Sequence, residues 1–151
     1  MKTTKKPKLK KERSVSSLAK KVWALTREIA LKREIAKSGK INCYTCGAKD
    51  IQGSNCQLGH GYPKGALGVS MQYDLRILRF QDYNCNINRG GMGAEFWKNL
   101  EVEYGEEEAD SLYWACKFSK GNPIKARPYL TALIEERKKI LADLSTDSLD
   151  S

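Results

Sequence analysis

The sequence is poor in histidine and in long apolar segments. His60 is the only histidine among 151 residues. No apolar run approaches the roughly 20 residues that a membrane-spanning helix needs, so we expect no membrane span. Residues 1–13 are basic but lack an apolar stretch and a small-residue cleavage site, so we expect a cytoplasmic protein without a secretory signal. A chain of this length allows one domain with tails, and a two-domain enzyme is not expected.

The cysteines do not have the pattern of a disulfide scaffold. There are five, an odd number, and two of them form a C-x-x-C pair. They are Cys43, Cys46, Cys56, Cys85 and Cys116. In a reducing cytoplasm such a pair is more typical of a metal site than of a disulfide.

The positive charge is concentrated near the N-terminus. The formal net charge is +9. Residues 1–40 contain fourteen Lys and Arg against three Glu, a net +11, whereas residues 41–151 contain thirteen basic and fifteen acidic residues, a net −2. This excess predicts a polyanionic partner, with nucleic acid preferred over a membrane surface.

Residues 1–14 form a basic segment without apolar periodicity, which predicts a disordered arm. Its cations could follow a phosphate backbone and release counterions as they bind. The lysines expected to contact nucleic acid are Lys5, Lys6, Lys8, Lys10 and Lys11. A solubility tail is the alternative interpretation.

Residues 15–144 are predicted to form a single domain, which begins with a helix over 15–39. Leucine, valine and isoleucine recur there at helical spacing, serine is available as an N-cap, and Gly39 provides a stop. The segment 41–94 contains nine of the twelve glycines, which is typical of loops and hairpins, and one strand is expected over Leu75–Phe80. Because such a segment buries little apolar surface, a bound metal is the simplest way to fix its backbone.

Residues 94–144 have the periodicity of C-terminal helices. The predicted helices cover Ala94–Tyr104, Glu106–Ser119 and a last segment from Pro128 to Leu144, and residues 145–151 are expected to be a flexible acidic tail. Trp23, Trp97, Trp114 and Cys116 fall on predicted helices, and we expect all four in the core.

Two short motifs have the spacing of metal ligands. Cys43 and Cys46 are followed by Gly47, which is the pattern of a tight knuckle that grips one zinc ion with two thiolates. About forty residues later, Asp82 and Cys85 repeat the two-residue gap with a carboxylate in the first place. Three thiolates and one carboxylate complete a tetrahedral zinc site. Cys56 is an alternative fourth ligand.

A longer set of motifs is similar to one known family. The motifs are Cys43-x-x-Cys46-Gly47, Cys56-Gln57-Leu58-Gly59-His60, Asp74, Gln81-Asp82-x-x-Cys85-Asn86, Gly90-Gly91, Phe96, Leu100 and Tyr104-Gly105. Together, over about residues 41–105, they resemble the NinG (Rap) recombination proteins of lambdoid phages. The resemblance implies a variant of the His-Asn-His endonucleases that cleaves branched, Holliday-junction-like DNA in the cytoplasm of a phage-infected bacterium. It also implies an α+β, mainly helical fold in which N- and C-terminal helices flank a treble-clef zinc core with a short β-hairpin.

The resemblance also assigns roles to individual residues. Cys43, Cys46, Asp82 and Cys85 match the positions of the structural zinc ligands. His60 matches the general base that takes a proton from the attacking water, and its ordinary pKa of about 6.5 suits that role. The alternative for His60 is a hydrogen-bonded turn residue or a zinc ligand beside Cys56. Asn86 matches the residue that helps to hold a catalytic Mg²⁺ or Mn²⁺ ion. Three arginines near the expected site could clamp phosphates, namely Arg76, Arg79 and Arg89.

Three positions depart from the family pattern, and one of them is Asp82, which stands where the family usually has a fourth cysteine. Gly59 stands where a further metal ligand often precedes the histidine, and Ile77 stands where an asparagine usually orients it. These departures leave open a non-catalytic zinc-containing DNA-binding recombination factor. A third alternative is an RNA-binding or protein-binding zinc module, because such a module would have the same basic arm and the same zinc knuckle. Cutting both arms of a symmetric junction would favour a homodimer.

Overall fold

The computed structural model describes residues 9–121 and 123–147. Within these residues the protein is mainly helical, with one small antiparallel sheet of two strands. The elements, in chain order, are α1 Val15–Ser38, β1 Gln57–His60, α2 Val69–Gln72, β2 Leu78–Gln81, α3 Gly93–Tyr104, α4 Glu106–Phe118 and α5 Ala126–Asp147. Short 3-10 turns and one π-turn, Asn84–Asn88, connect them.

Helix α1 is closed at both ends by local hydrogen bonds. The Ser14 hydroxyl accepts from the Ser17 N–H at 3.1 Å, which satisfies one of the free donors of the first turn. Gly39 adopts φ 75°, and its N–H donates to the Ile35 carbonyl. The sequence predicts this helix over 15–39, and it occupies Val15–Ser38. Its apolar stripe, which includes Val22, packs on α5.

The sheet differs from the strand that the sequence predicts. The expected strand over Leu75–Phe80 begins three residues later, because the Asp74 carboxylate accepts from the Arg76 N–H and folds Leu75–Ile77 into a 3-10 turn. Strand β2 then pairs with β1, which was expected only as loop or hairpin. The register sets His60 opposite Leu78, so β1 ends at the histidine.

The last helix is longer than predicted. It begins at Ala126, two residues before Pro128, which the first turn tolerates because its N–H groups have no intrahelical partner. Its C-terminal end reaches Asp147, so residues 145–147 are helical, and the prediction of a flexible tail is wrong there. The Thr146 hydroxyl donates to the Ala142 carbonyl one turn earlier. The remaining residues of that tail, 148–151, lie outside the described part of the chain.

Apolar side chains collect in three clusters, and one predicted core residue is missing from them. Cys116 is fully buried with Ile77 and Leu112, as expected. Trp23 and Trp97 are partly buried against these clusters. Trp114 is 50% exposed, so its assignment to the core is wrong. It occupies the outer face of α4, because Leu112 and Cys116 define the inner face.

None of the helices in residues 9–121 and 123–147 combines the length and the apolar composition that crossing a bilayer requires.

Candidate metal centre and the His60 cavity

Residues 41–51 form a tight knuckle that sets the two thiols of the C-x-x-C pair side by side. The Cys43 N–H donates to the Ala48 carbonyl at 2.8 Å, and the Gly47 N–H donates to the Cys43 carbonyl at 3.1 Å. Gly47 has φ +76°, a conformation that a glycine adopts without steric cost. The knuckle is thus fixed by its own backbone bonds.

The second pair of ligand positions lies where β2 ends. The Tyr44 N–H donates to the Phe80 carbonyl at 2.9 Å, which joins the knuckle to this strand. Asp82 follows the strand, and its Oδ1 accepts from the Cys85 N–H at 2.7 Å. Its carbonyl accepts from the Asn86 N–H at 2.9 Å. Asp82 therefore shapes the turn that presents Cys85.

These two segments bring four metal-ligating side chains together. One ligand atom from each of Cys43, Cys46, Asp82 and Cys85 lies within 4.8 Å of the others, so the cluster could hold a metal ion. Tetrahedral zinc with Zn–S bonds of about 2.3 Å separates its sulfur ligands by about 3.8 Å, so a small contraction suffices. The fourth member of this group is Asp82, and Cys56, the alternative fourth ligand, does not belong to it.

Hydrogen bonds and burial shift the pKa of each ligand in the protein itself. The Cys46 thiol donates to Asp82 Oδ2 at 2.9 Å, which raises the pKa of Cys46 to about 12 and lowers the pKa of Asp82. Burial raises the pKa of Cys85. For Cys43, burial opposes ionisation, but backbone N–H donors from Cys46 and Asp82 outweigh it and lower the pKa. A bound dication favours the thiolate forms, so metal binding here releases protons.

His60 is held by a backbone carbonyl and by an aromatic ring. Its Nε2 lies 2.9 Å from the Gln72 carbonyl oxygen. Because a carbonyl can only accept, Nε2 carries the proton and Nδ1 keeps a free lone pair. The ring stacks on Trp23, with centroids 5.2 Å apart and planes 13° apart. Burial lowers the pKa of His60, and the positive charge of Lys64 lowers it further.

His60 and Asn86 line the same surface cavity. The cavity has a volume of about 240 Å³, and Lys64 and Gly91 also line it. The Asn86 Nδ2 donates to Gln57 Oε1 at 2.8 Å, which orients the amide. Asn86 directly follows Cys85, so one turn contributes both to the metal cluster and to this cavity.

Gln81 connects the two sites, although its place in the motif predicted no role for it. Its side chain is fully buried, and its Nε2 donates to Thr45 Oγ1 at 3.0 Å and to the Gly91 carbonyl at 2.8 Å. A Cβ at Gly59 would lie 2.2 Å from Gln81 Oε1 and 2.7 Å from Asn86 Oδ1. A side chain at position 59 would therefore displace the amides of Gln81 and Asn86. The one sequence signal for Gln81 is its place directly before Asp82 in the Gln81-Asp82-x-x-Cys85-Asn86 motif.

The arginines expected to bind phosphate differ in their surroundings. Arg79 pairs with Glu103 at 2.7 Å and donates to the Tyr104 hydroxyl at 2.7 Å, so its guanidinium is committed to the fold. Arg76 pairs with Asp74 at 2.7 Å. Arg89 is exposed at the end of the Asn84–Asn88 turn.

The structure describes only two of the five lysines that are predicted to contact nucleic acid. Lys10 and Lys11 are exposed, whereas Lys5, Lys6 and Lys8 lie outside the described residues. Nucleic-acid contacts at all these basic positions, and at the three arginines, stay predictions.

Comparisons with known proteins do not assign the chain to a family. No protein-family model matches it, and neither a curated protein nor a solved structure does. The resemblance to the NinG family therefore stays a prediction from its motifs, and so do the catalytic roles of His60 and Asn86.

Proposed function

We propose that the protein is a metal-dependent DNA endonuclease in which a zinc-bound, treble-clef-like core presents His60 to the scissile phosphate. The observation that carries the proposal is the shared turn. Cys85 faces the metal cluster, and the next residue, Asn86, lines the His60 cavity. A metal that fixes this turn would also fix the part of the cavity wall that Asn86 contributes beside His60.

The ligand set fits zinc better than a hard cation. Thiolates bind borderline-soft metals such as zinc, and closed four-coordinate sites with sulfur ligands are typical of structural zinc. Cys43, Cys46 and Cys85 would provide three sulfurs, and Asp82 would provide one oxygen. A knuckle, two paired strands and a helical turn beginning near Cys85 follow one another along the chain, and this order supports the proposal of a treble-clef-like core.

In the proposed reaction, His60 Nδ1 takes a proton from a water molecule. The water oxygen attacks phosphorus, the bond from phosphorus to the 3′ oxygen breaks, and the departing oxygen takes a proton from solvent. The pKa of His60 lies below its ordinary value, so the imidazole is neutral at pH 7 and can accept this proton.

The cavity also has one oxygen that could hold a catalytic divalent ion. Asn86 Oδ1 would bind Mg²⁺ or Mn²⁺, which would stabilise the negative charge of the phosphorane and of the leaving oxygen. Gly59 has no side chain and so contributes no ligand. A larger residue at this position would collide with Gln81 and Asn86. Phosphate oxygens and waters would complete the shell, as is common for magnesium.

The proposed substrate is branched DNA formed during recombination, and the proposed place of action is the infected bacterial cell. Both proposals rest on the resemblance to the phage family. The basic residues of the first forty positions would bind phosphates without reading base sequence. Cutting two arms of a symmetric junction would take two copies of the chain.

A non-catalytic DNA-binding factor is the second candidate, and Ile77 favours it. This residue is fully buried among apolar side chains, where an asparagine would have oriented the histidine. The Gln72 carbonyl performs that orientation instead.

Cleavage of junction DNA with Mg²⁺ or Mn²⁺ separates the two candidates. The nuclease proposal predicts cleavage by the wild type, loss of cleavage in His60→Ala, and equal junction affinity of both proteins at one fixed salt concentration. Lys139→Ala, which removes an exposed cation on α5, is the control and should cleave normally. If the wild type binds the junction but cuts with neither ion, the non-catalytic candidate stands instead.

A further inference from the structure

A second cavity, lined by aromatic rings, adjoins the His60 cavity. It has a volume of about 420 Å³, and its lining includes Tyr62, Trp97 and Tyr113. The Tyr113 ring makes edge contacts with Tyr62 at 5.6 Å and with Trp97 at 5.3 Å between centroids. Gly61, Tyr62, Pro63 and Gly93 line both cavities, so the two are direct neighbours.

The rings of this cavity are fixed in place yet accessible. The Trp97 Nε1–H donates to the Gly61 carbonyl at 2.7 Å, which locks the indole against the same loop. Tyr113 is 39% exposed. Next to it on α4, Trp114 stacks on Phe118 with centroids 5.5 Å and planes 11° apart, and both rings are largely exposed. Exposed aromatic patches of this kind mark interaction sites.

The charges around the two cavities have opposite signs. Lys64 lines the His60 cavity, whereas Glu101 and Asp110 line the aromatic cavity. Carboxylates repel a phosphate but accept hydrogen bonds from the N–H groups of a nucleobase. A nucleotide is complementary to both cavities. Its anionic phosphate suits the cavity with Lys64, and its flat base with N–H donors suits the aromatic cavity with the two carboxylates.

We propose that the aromatic cavity holds one unpaired nucleobase next to the phosphate that faces His60. This inference rests on the proposed DNA endonuclease function and specifies its substrate as DNA with an unpaired base beside the cleaved bond. A base in the duplex cannot enter, because it must first leave the stack, and this costs least where it is already unpaired. The rings of Tyr62, Trp97 and Tyr113 would replace the lost stacking.

The test compares two junctions that differ at one position. Both have an unpaired nucleotide next to the branch, but in one of them the base is replaced by an abasic sugar. The protein is the full-length His60→Ala variant, so that binding is measured without cleavage. Loss of one stacked base should weaken binding about 5- to 100-fold, and this difference should disappear in the double variant that adds Tyr113→Ala.

Two controls distinguish base binding from general damage. Val102→Ala alters an exposed residue of α3 outside the cavity and should keep the full difference between the two junctions. Asp110→Asn, also on the His60→Ala background, keeps the shape of the cavity and should reduce the difference. Tyr113→Ala should leave affinity for the abasic junction unchanged, which an unfolded variant would not do.

Equal affinity for the two junctions would overturn the inference, even if the wild type cleaves both of them. Specific binding of a trimethyllysine peptide that depends on Tyr113, with no preference for the base, would overturn it in favour of a cation cage. Failure of the proposed nuclease has a different signature: the base preference is present, but the wild type does not cut with Mg²⁺ or Mn²⁺.

Discussion

The indole of Trp23 lies almost parallel to the imidazole of His60, with 5.2 Å between ring centroids. Trp23 of helix α1 therefore covers one face of the imidazole, and the Gln72 carbonyl fixes the ring by accepting a hydrogen bond from Nε2. Such a ring has one tautomer and restricted rotation, which keeps Nδ1 in a constant position.

Replacing Trp23 by alanine should release the His60 ring. We expect a loss of about 2–4 kcal/mol in the free energy of unfolding, because a partly buried indole is removed. The pKa of His60 should rise towards its ordinary value as water reaches the ring. Since His60 is the only histidine, its imidazole signals in an NMR titration report this pKa without ambiguity. Trp23→Phe keeps a ring in place and should change the pKa less; a pKa unaffected by Trp23→Ala would show that the stacking does not control it.

The lowered pKa of His60 predicts a pH-dependent term in stability. Burial and Lys64 lower the pKa, although the hydrogen bond to Gln72 opposes them. The unfolded chain has the ordinary pKa of about 6.5, so below that pH it binds more protons than the folded protein. The free energy of unfolding should therefore fall as the pH drops from 6.5 through the folded pKa.

Urea unfolding of wild type and His60→Gln at several pH values isolates this term, because all other groups titrate in both proteins. The wild type should lose more stability on acidification than the variant. Identical pH dependence of the two proteins would contradict a lowered His60 pKa.

Adding a methyl group at Gly59 should be costly. The new Cβ would meet Gln81 Oε1 at 2.2 Å, and Gln81 is held by Thr45 and Gly91. We expect Gly59→Ala to destabilise the protein by about 1–3 kcal/mol, measured by urea unfolding. Gly65→Ala is the matched control, because a Cβ there has nothing within 4 Å, and it should cost far less. The effects of Gly59→Ala and Gln81→Ser should be less than additive; full additivity would mean that the two residues do not compete for space.

Removal of metal should unfold the central segment. We expect about one tightly bound zinc per chain, which contributes on the order of 10 kcal/mol in small zinc modules. Cys43→Ser should lower zinc content and stability together, whereas Cys56→Ala should keep the zinc and lose only packing energy. Elemental analysis and circular dichroism with and without a chelator measure both effects. A fold that is unchanged after complete loss of zinc would contradict a structural role.

The sequence was informative where a short-range rule determines the structure. The end of α1 at Gly39 follows from local hydrogen bonding and backbone conformation, and helices α3 and α4 follow from periodicity. The two-residue gaps at Cys43 and Asp82 also predicted that these two segments meet at one cluster, whereas the choice of Asp82 over Cys56 as its fourth member came from the structure.

Tertiary packing determines what the sequence did not show. Strand β1 has four residues and pairs with a partner about twenty positions away, so its alternation is too short to recognise. The contact of Trp23 with His60 joins a helix to a strand end. Trp114 was assigned to the core from its helical position, yet the inner face of α4 is filled by Leu112 and Cys116.

The central claim is that three thiolates and Asp82 bind one metal ion next to the turn that carries Asn86. The absorption spectrum of the cobalt-substituted protein tests this claim most directly. Cobalt(II) can replace zinc in such sites, and the intensity of its sulfur-to-metal charge-transfer band increases with the number of thiolate ligands. We predict a tetrahedral spectrum with three thiolates in the wild type, a loss of about one third of the band in Cys85→Ser, and an unchanged spectrum in Cys56→Ala. A spectrum that changes with Cys56 but not with Cys85 would contradict the account.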